Sequence, residues 1–140
     1  LKPEELEHSV VERFKRYEIV KENETDAELY LTEDCDILLC AFGATARVVK
    51  SAVNDARAMG IKAGLFRPKT LWPFPVKEIN EAAKTAKKLL SVEMSMGQMI
   101  EDIKLAINCS KPVEFFGRTG GVIPTPVEVL EEIKKIGGTL

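Results

Sequence analysis

The chain has 140 residues, which is the length of one ordinary domain. Its composition of 45% hydrophobic and 30% charged residues is typical of folded globular proteins and excludes a disordered or fibrous chain. The 20 Lys and Arg residues are interspersed with 22 Asp and Glu residues, so we expect no basic face and no nucleic-acid partner. The longest apolar run, residues 37–46, is about half of a membrane-spanning helix, so no membrane partner is expected either.

The amino terminus and the cysteines argue against export. The sequence begins at Leu1 without Met or a signal pattern, and we interpret it as a piece of a longer, cytoplasmic protein. The three cysteines, Cys35, Cys40 and Cys109, form an odd set without a CxxC pair, which disfavours a disulfide framework. They cannot alone supply the four ligands of an iron–sulfur cluster or structural zinc site, so we expect no metal in this chain. Cys40 lies in an apolar run and is interpreted as a small buried residue.

The first part of the chain predicts a helix followed by an edge strand. Apolar side chains recur at helical spacing from Pro3 to about Tyr17, which predicts an amphipathic helix. The polar run 21–26 predicts a linker or turn. Residues 28–31 form a possible short strand, and their polar neighbours place it at the edge of a sheet.

From residue 36 onward, short apolar runs alternate with helical patterns, as in βαβ units with a largely parallel sheet. The run 37–42 lacks polar alternation, which predicts a central strand covered on both faces. Further strands are predicted at 62–66, 88–92 and 113–116, and helices at 45–59, 76–87, about 99–107 and from 126 onward. Thr125, Pro126 and Glu128 stand at the N-cap, first and third positions that favour the start of the last helix.

Four loops follow the predicted parallel strands, and they should share the edge where open α/β sheets bind ligands. Helix amino termini and basic side chains in these loops favour an anion. The candidate anion crevice consists of Gly43, Thr45, Arg67, Lys69, Ser95, Arg118, Gly120 and Gly121. The alternative is that these small residues only let strands turn into helices. No GxGxxG follows the first strand and no Walker motif is present, so neither NAD nor a P-loop nucleotide is indicated.

Residues near the same loops have several possible roles. Glu93 ends a predicted strand, where it caps the next helix or pairs with Arg67 or Arg118 in preference to a catalytic role. His8, the one histidine, lies on the polar side of the first helix, so we predict no catalytic residue. Another set either fills the core or forms an interface with another protein: Trp72, Phe74, Met94, Met96 and Met99.

Three stretches carry a family resemblance: Arg67-Pro68-Lys69-Thr70-Leu71-Trp72-Pro73-Phe74-Pro75, Glu93-Met94-Ser95-Met96-Gly97-Gln98 and Phe116-Gly117-Arg118-Thr119-Gly120-Gly121. In order and approximate spacing they resemble the alpha subunit of 2-oxoacid:ferredoxin oxidoreductases. Residues 8–13 resemble the connector after that subunit's thiamine-pyrimidine-type domain. The resemblance implies a connector helix and linker at 1–26 and a transketolase C-terminal-like α/β domain at 27–140. The implied fold is a three-layer α/β/α sandwich with a mostly parallel sheet of about five strands and an antiparallel edge strand.

The resemblance also implies a function for the parent protein. Its family oxidatively decarboxylates 2-oxoacids, such as 2-oxoglutarate or branched-chain 2-oxoacids, to acyl-CoA and reduces ferredoxin. Thiamine diphosphate, Mg, iron–sulfur clusters and CoA are expected in the parent complex and no cofactor in this chain. We expect the chain to serve subunit assembly and interdomain packing with the upstream domain, the beta subunit and further subunits of a homo-oligomer, and to be inactive alone. The alternative is a free-standing domain that binds an anion or a CoA-like nucleotide.

Overall fold

One sheet organises the part of the chain that the computed structural model describes, residues 2–138. In chain order the elements are α1 (Pro3–Asn23), β1 (Ala27–Tyr30), β2 (Ile37–Cys40), α2 (Gly43–Ala58), β3 (Ala63–Pro68), α3 (Val76–Ala82), β4 (Lys88–Glu93), α4 (Met99–Ala106), β5 (Val113–Gly117) and α5 (Pro126–Gly137). The five strands lie in the order β1-β3-β2-β4-β5. Strands β2 to β5 are parallel, and β1 pairs antiparallel with β3 at the edge. The predicted mostly parallel sheet with an antiparallel edge strand is therefore confirmed.

The central strand β2 divides its side chains between two cores, because successive residues of a strand point to opposite faces. Ile37 and Leu39 pack with α2 and α5 on one face. Leu38 and Cys40 pack with α3 and α4 on the other. All four side chains are fully buried, and each large aliphatic one stabilises the fold by about 1.5–3 kcal/mol. This arrangement confirms both the three-layer sandwich and the predicted burial of Cys40, whose thiol has its pKa raised by that burial.

Helix α1 is longer than its sequence pattern predicted. It continues to Asn23, so the predicted linker at 21–26 is wrong over its first three residues. Lys21 and Glu22 are good helix formers, and Lys21 pairs with Glu18 one turn earlier at 2.7 Å. A polar run without Gly or Pro does not by itself end a helix.

Helix α3 is shorter than predicted, because it ends at Ala82 and not near residue 87. Distant side chains hold the following backbone outside the helix. The ammonium of Lys111 donates to the carbonyls of Ala83, Lys84 and Ala86. The hydroxyl of Thr85 donates to the carbonyls of Thr32 and Cys35. These tertiary hydrogen bonds replace the helical ones that the sequence pattern favoured.

The end of β3 and the start of α5 can also be compared with the sequence prediction. Strand β3 extends to Pro68, so the predicted loop from Arg67 begins inside a strand. Pro68 is tolerated because it is the last residue of β3, opposite Ala27 of the edge strand. The predicted start of α5 is confirmed, since Thr125 and Glu128 form a reciprocal capping box. Within residues 2–138, none of the helices combines the length and apolarity needed to cross a membrane.

Candidate functional site

A cavity lies at the carboxyl-terminal edge of the sheet, between the ends of β2 and β4. From β2 the chain turns through α2 to β3, and from β4 it turns the other way through α4 to β5. The crevice at such a reversal is the usual ligand position in open α/β sheets. We call this space of about 420 Å³ the switch-point cavity. Its lining consists of Phe42, Gly43, Ala44, Thr45, Leu71, Glu93, Met94, Ser95, Gln98, Met99 and Asp102.

Only some residues of the candidate anion crevice line the switch-point cavity. Gly43, Thr45 and Ser95 line it, whereas Gly120 and Gly121 lie on the exposed loop before α5. The predicted cations lie elsewhere, each in an ion pair. Arg67 pairs with Glu28 at 3.1 Å, Lys69 with Asp26 at 3.1 Å, and Arg118 with Glu128. The three predicted cations are thus not brought together at the cavity. Anion binding by the candidate crevice stays a prediction.

Glu93 fixes the wall of the cavity formed by the β4–α4 loop. It is only 2% exposed, and donors surround its carboxylate at 2.8–3.0 Å. The donors are the hydroxyls of Ser91 and Ser95 and the backbone amides of Gln98, Met99 and Ile100. Burial by itself raises the pKa of Glu93, but these hydrogen bonds together hold that pKa below its ordinary value. The predicted helix-capping role is confirmed, and the alternative pairing with Arg67 or Arg118 is wrong.

Five lining residues of the switch-point cavity had no candidate role in the sequence analysis, namely Phe42, Ala44, Leu71, Gln98 and Asp102. Phe42 was assigned to the end of a strand, but it is the N-cap residue of α2. Leu71 lies in a proline-rich loop whose path the local pattern could not predict. Asp102 could have been found, because it lies in the first turn of the helix that Glu93 caps.

A second feature is an aromatic surface formed by Phe14, Tyr17 and Trp72. Helix α1 buries none of its residues, and Phe14 and Trp72 are 57% and 59% exposed. The ring of Tyr17 lies between them, with its centroid 5.5 Å from that of Phe14 and 5.3 Å from that of Trp72. We call these three residues the Trp72 surface.

The structure divides the set predicted to fill either the core or an interface. Trp72, Met94 and Met96 are exposed, the last by 83%. Met99 is a core residue of the α3–α4 face, and Phe74 is half-buried against that core, with its ring 6.1 Å from that of Phe66. Three members therefore remain available for contact with another protein.

The described side chains do not assemble a metal centre. Residues 2–138 contain no group of three or more His, Cys, Asp and Glu side chains that could hold a metal ion. Cys35 and Cys40 are buried and Cys109 is exposed. His8 is exposed on α1.

Comparison with known proteins identifies similar sequences over most of the chain. The family model described as pyruvate:ferredoxin oxidoreductase core domain II matches residues 35–129. The ketoisovalerate oxidoreductase subunit VorB of Methanothermobacter marburgensis is 48% identical over 124 residues, which cover 89% of this chain. The 2-oxoglutarate synthase subunit KorA of the same organism is 41% identical over 108 residues, covering 77% of this chain and 29% of that subunit. The chain spans 35% of the length of the VorB subunit.

Solved structures show the same fold. A 2-oxoglutarate:ferredoxin oxidoreductase from Magnetococcus marinus, with 2-oxoglutarate, coenzyme A and succinyl-CoA bound, aligns with a TM-score of 0.77 at 24% identity. The alignment covers 96% of this chain and 23% of that one. A split-gene transketolase aligns with a TM-score of 0.63 at 17% identity, covering 79% of this chain and 40% of that one. The predicted transketolase-like fold is confirmed.

Proposed function

The chain belongs to the family of the pyruvate:ferredoxin oxidoreductase core domain II, and on that premise we propose that it is an assembly domain of a 2-oxoacid:ferredoxin oxidoreductase subunit. Its role is to pack against other domains and subunits. Residues 1–26 act as the connector helix and linker, and residues 27–140 form the packing domain.

The observation that carries this proposal is the Trp72 surface. A helix of 21 residues that buries none of them gains little from packing on its own domain. Its exposed apolar side chains include Leu6, Val11, Phe14 and Ile19. An exposed apolar patch of this kind marks an interaction site, and exposed Trp and Tyr residues often carry most of the binding energy of an interface. A partner that covers the Trp72 surface would remove these side chains from water.

The parent enzyme that we propose oxidatively decarboxylates a branched-chain 2-oxoacid or 2-oxoglutarate to an acyl-CoA and reduces ferredoxin. The similarity to VorB and KorA subunits supports this choice of substrates. Thiamine diphosphate, Mg, iron–sulfur clusters and CoA would be held by other parts of a cytoplasmic complex. That complex would contain the upstream thiamine-pyrimidine-type domain and the beta subunit, and it would be a homo-oligomer of such units.

Trp72→Ala in the complete complex tests the assembly role. We expect the substitution to weaken subunit association by about 2 kcal/mol, or roughly thirtyfold in dissociation constant, because it removes an anchor of the interface. Analytical ultracentrifugation over a dilution series would measure the association, and 2-oxoacid-dependent ferredoxin reduction would report the activity.

Met59→Ala is the matched control, since Met59 is 57% exposed and thus nearly as exposed as Trp72. It lies between α2 and β3, at the amino-terminal end of the strands, whereas Trp72 follows β3 at the carboxyl-terminal end. We expect this variant to associate like the unaltered protein. If Trp72→Ala left both association and activity unchanged, the assembly role would lose its main support.

A further inference from the structure

The start of α2 forms one side of the switch-point cavity. Its first backbone amides are hydrogen-bond donors without a capping side chain. The N-cap residue Phe42 provides no side-chain hydrogen bond, and the first turn of α2 contains no acidic residue. The first amides of a helix lack intrahelical partners and carry partial positive charge. Gly43, Ala44 and Thr45 of this first turn line the cavity. Gly43 begins the turn with a φ of 58°, which glycine adopts without strain.

Thr45 provides an independent sign that the cavity holds a ligand. The residue is 5% exposed, and no residue of the range 2–138 forms a hydrogen bond with its hydroxyl. In that range, two side-chain atoms are both inaccessible to solvent and without a hydrogen-bond partner, namely Oε2 of Glu78 and Nε of Arg118. The Thr45 hydroxyl is not among them, so it retains access to solvent through the cavity that it lines. This hydroxyl therefore remains free to bond a molecule that occupies the cavity.

The opposite side of the cavity offers an acceptor. Asp102 is exposed on the first turn of α4 and has no ion pair among the described residues. Glu93 also lines the cavity, but the five donors described above occupy its carboxylate. The negative charge that a ligand can approach is therefore that of Asp102.

A ligand that bonds both sides needs a negatively charged end for the donors of α2 and a positively charged end for Asp102. No Lys or Arg of the described chain lines the cavity, and Asp102 would repel a phosphate or another multiply charged anion. The lining also includes the apolar side chains of Phe42, Leu71, Met94 and Met99. The volume of about 420 Å³ falls in the range of small-molecule sites.

We propose that the switch-point cavity binds an α-amino acid with an apolar side chain. The first amides of α2 and the Thr45 hydroxyl donate to its carboxylate. Asp102 accepts from its ammonium group, and the apolar side chain of the ligand packs between Leu71 and Met94. This site is separate from the Trp72 surface, so it does not depend on the proposed assembly role.

Isothermal titration calorimetry of the 140-residue chain with L-leucine tests the proposal. Two analogues each lack one charged group: 4-methyl-2-oxopentanoate lacks the ammonium, and 3-methylbutylamine lacks the carboxylate. We expect leucine to bind at one site and each analogue to bind at least about tenfold more weakly, since each loses charge-assisted hydrogen bonds. If leucine did not bind, or either analogue bound as tightly, the proposal would be overturned.

Two substitutions locate the site. Thr45→Val keeps the side-chain shape and removes the hydroxyl, and Asp102→Asn removes the charge. We expect each to weaken leucine binding about tenfold. Thr119→Val and Glu101→Gln are the matched controls, because both residues are exposed and neither lines the cavity. Circular dichroism would verify that all four variants are folded. Leucine affinities that were equal in the site and control variants would contradict this placement.

Discussion

Replacing Glu93 by Ala is expected to lower the free energy of unfolding by about 3 kcal/mol, because buried donors lose their acceptor. The amides of Met99 and Ile100 would be left without partners in a buried position. The charge that stabilises the amino terminus of α4 would be lost as well. Urea unfolding followed by circular dichroism would measure the difference.

The control for Glu93 is Glu101→Ala on the same helix. Glu101 is exposed and pairs only with Lys104 one turn later, so its removal should change stability by less than about 0.5 kcal/mol. If the two alanine variants were equally stable, the hydrogen bonds to Glu93 would not stabilise the fold as described.

The pH dependence of stability gives a second check on Glu93. Its pKa is lower in the folded protein than the ordinary value of 4.5. A carboxyl group with a lowered pKa contributes its stabilisation above the unfolded pKa and loses it as the pH falls through the folded pKa. The stability difference between the unaltered protein and Glu93→Gln should therefore be constant above about pH 5 and shrink below 4.5. Other carboxyl groups are present in both proteins and cancel in this comparison.

Replacing Gly64 by Ala is expected to lower the free energy of unfolding by about 3 kcal/mol, because β3 has no room for a side chain at this point. A Cβ atom at Gly64 would lie 2.6 Å from the carbonyl oxygen of Leu31 and 3.0 Å from Cβ of Cys35. The Leu31 carbonyl cannot easily move, since the guanidinium of Arg57 donates to it at 2.8 Å. Thermal and urea unfolding would both report the loss.

Gly137→Ala is the control for Gly64. At this helical position an added Cβ would meet, among residues 2–138, Cδ1 of Ile37 at the ordinary contact distance of 3.9 Å. Alanine favours the helix more than glycine does, so we expect a gain of about 0.5 kcal/mol. A loss at Gly137 as large as that at Gly64 would mean that crowding in β3 is not the cause.

Features with local causes could be predicted from the sequence. The capping box of α5 depends on residues three positions apart, Thr125 and Glu128. Strand β2 could be predicted because a continuous apolar run is typical of a strand covered on both faces. The helix-capping role of Glu93 follows from its place between a strand and a helix.

The features that could not be predicted depend on strand order and register. Arg67 was assigned to the candidate anion crevice, but the antiparallel register places it opposite Glu28, which neutralises it. The ends of β2 and β4 meet at one cavity because these strands are neighbours in the sheet, and the sequence did not predict that strand order. The exposure of the aromatic residues of α1 depends on how the helix lies against its own domain, which no local pattern contains.

Ferredoxin reduction tests the central claim most directly. The complete complex that contains this chain should reduce ferredoxin when it is given a branched-chain 2-oxoacid or 2-oxoglutarate together with CoA. The 140-residue chain alone should show no turnover, because in the proposed complex other domains and subunits hold thiamine diphosphate and the iron–sulfur clusters. Turnover by the chain alone, or no 2-oxoacid-dependent reduction by the complete complex, would contradict the proposal.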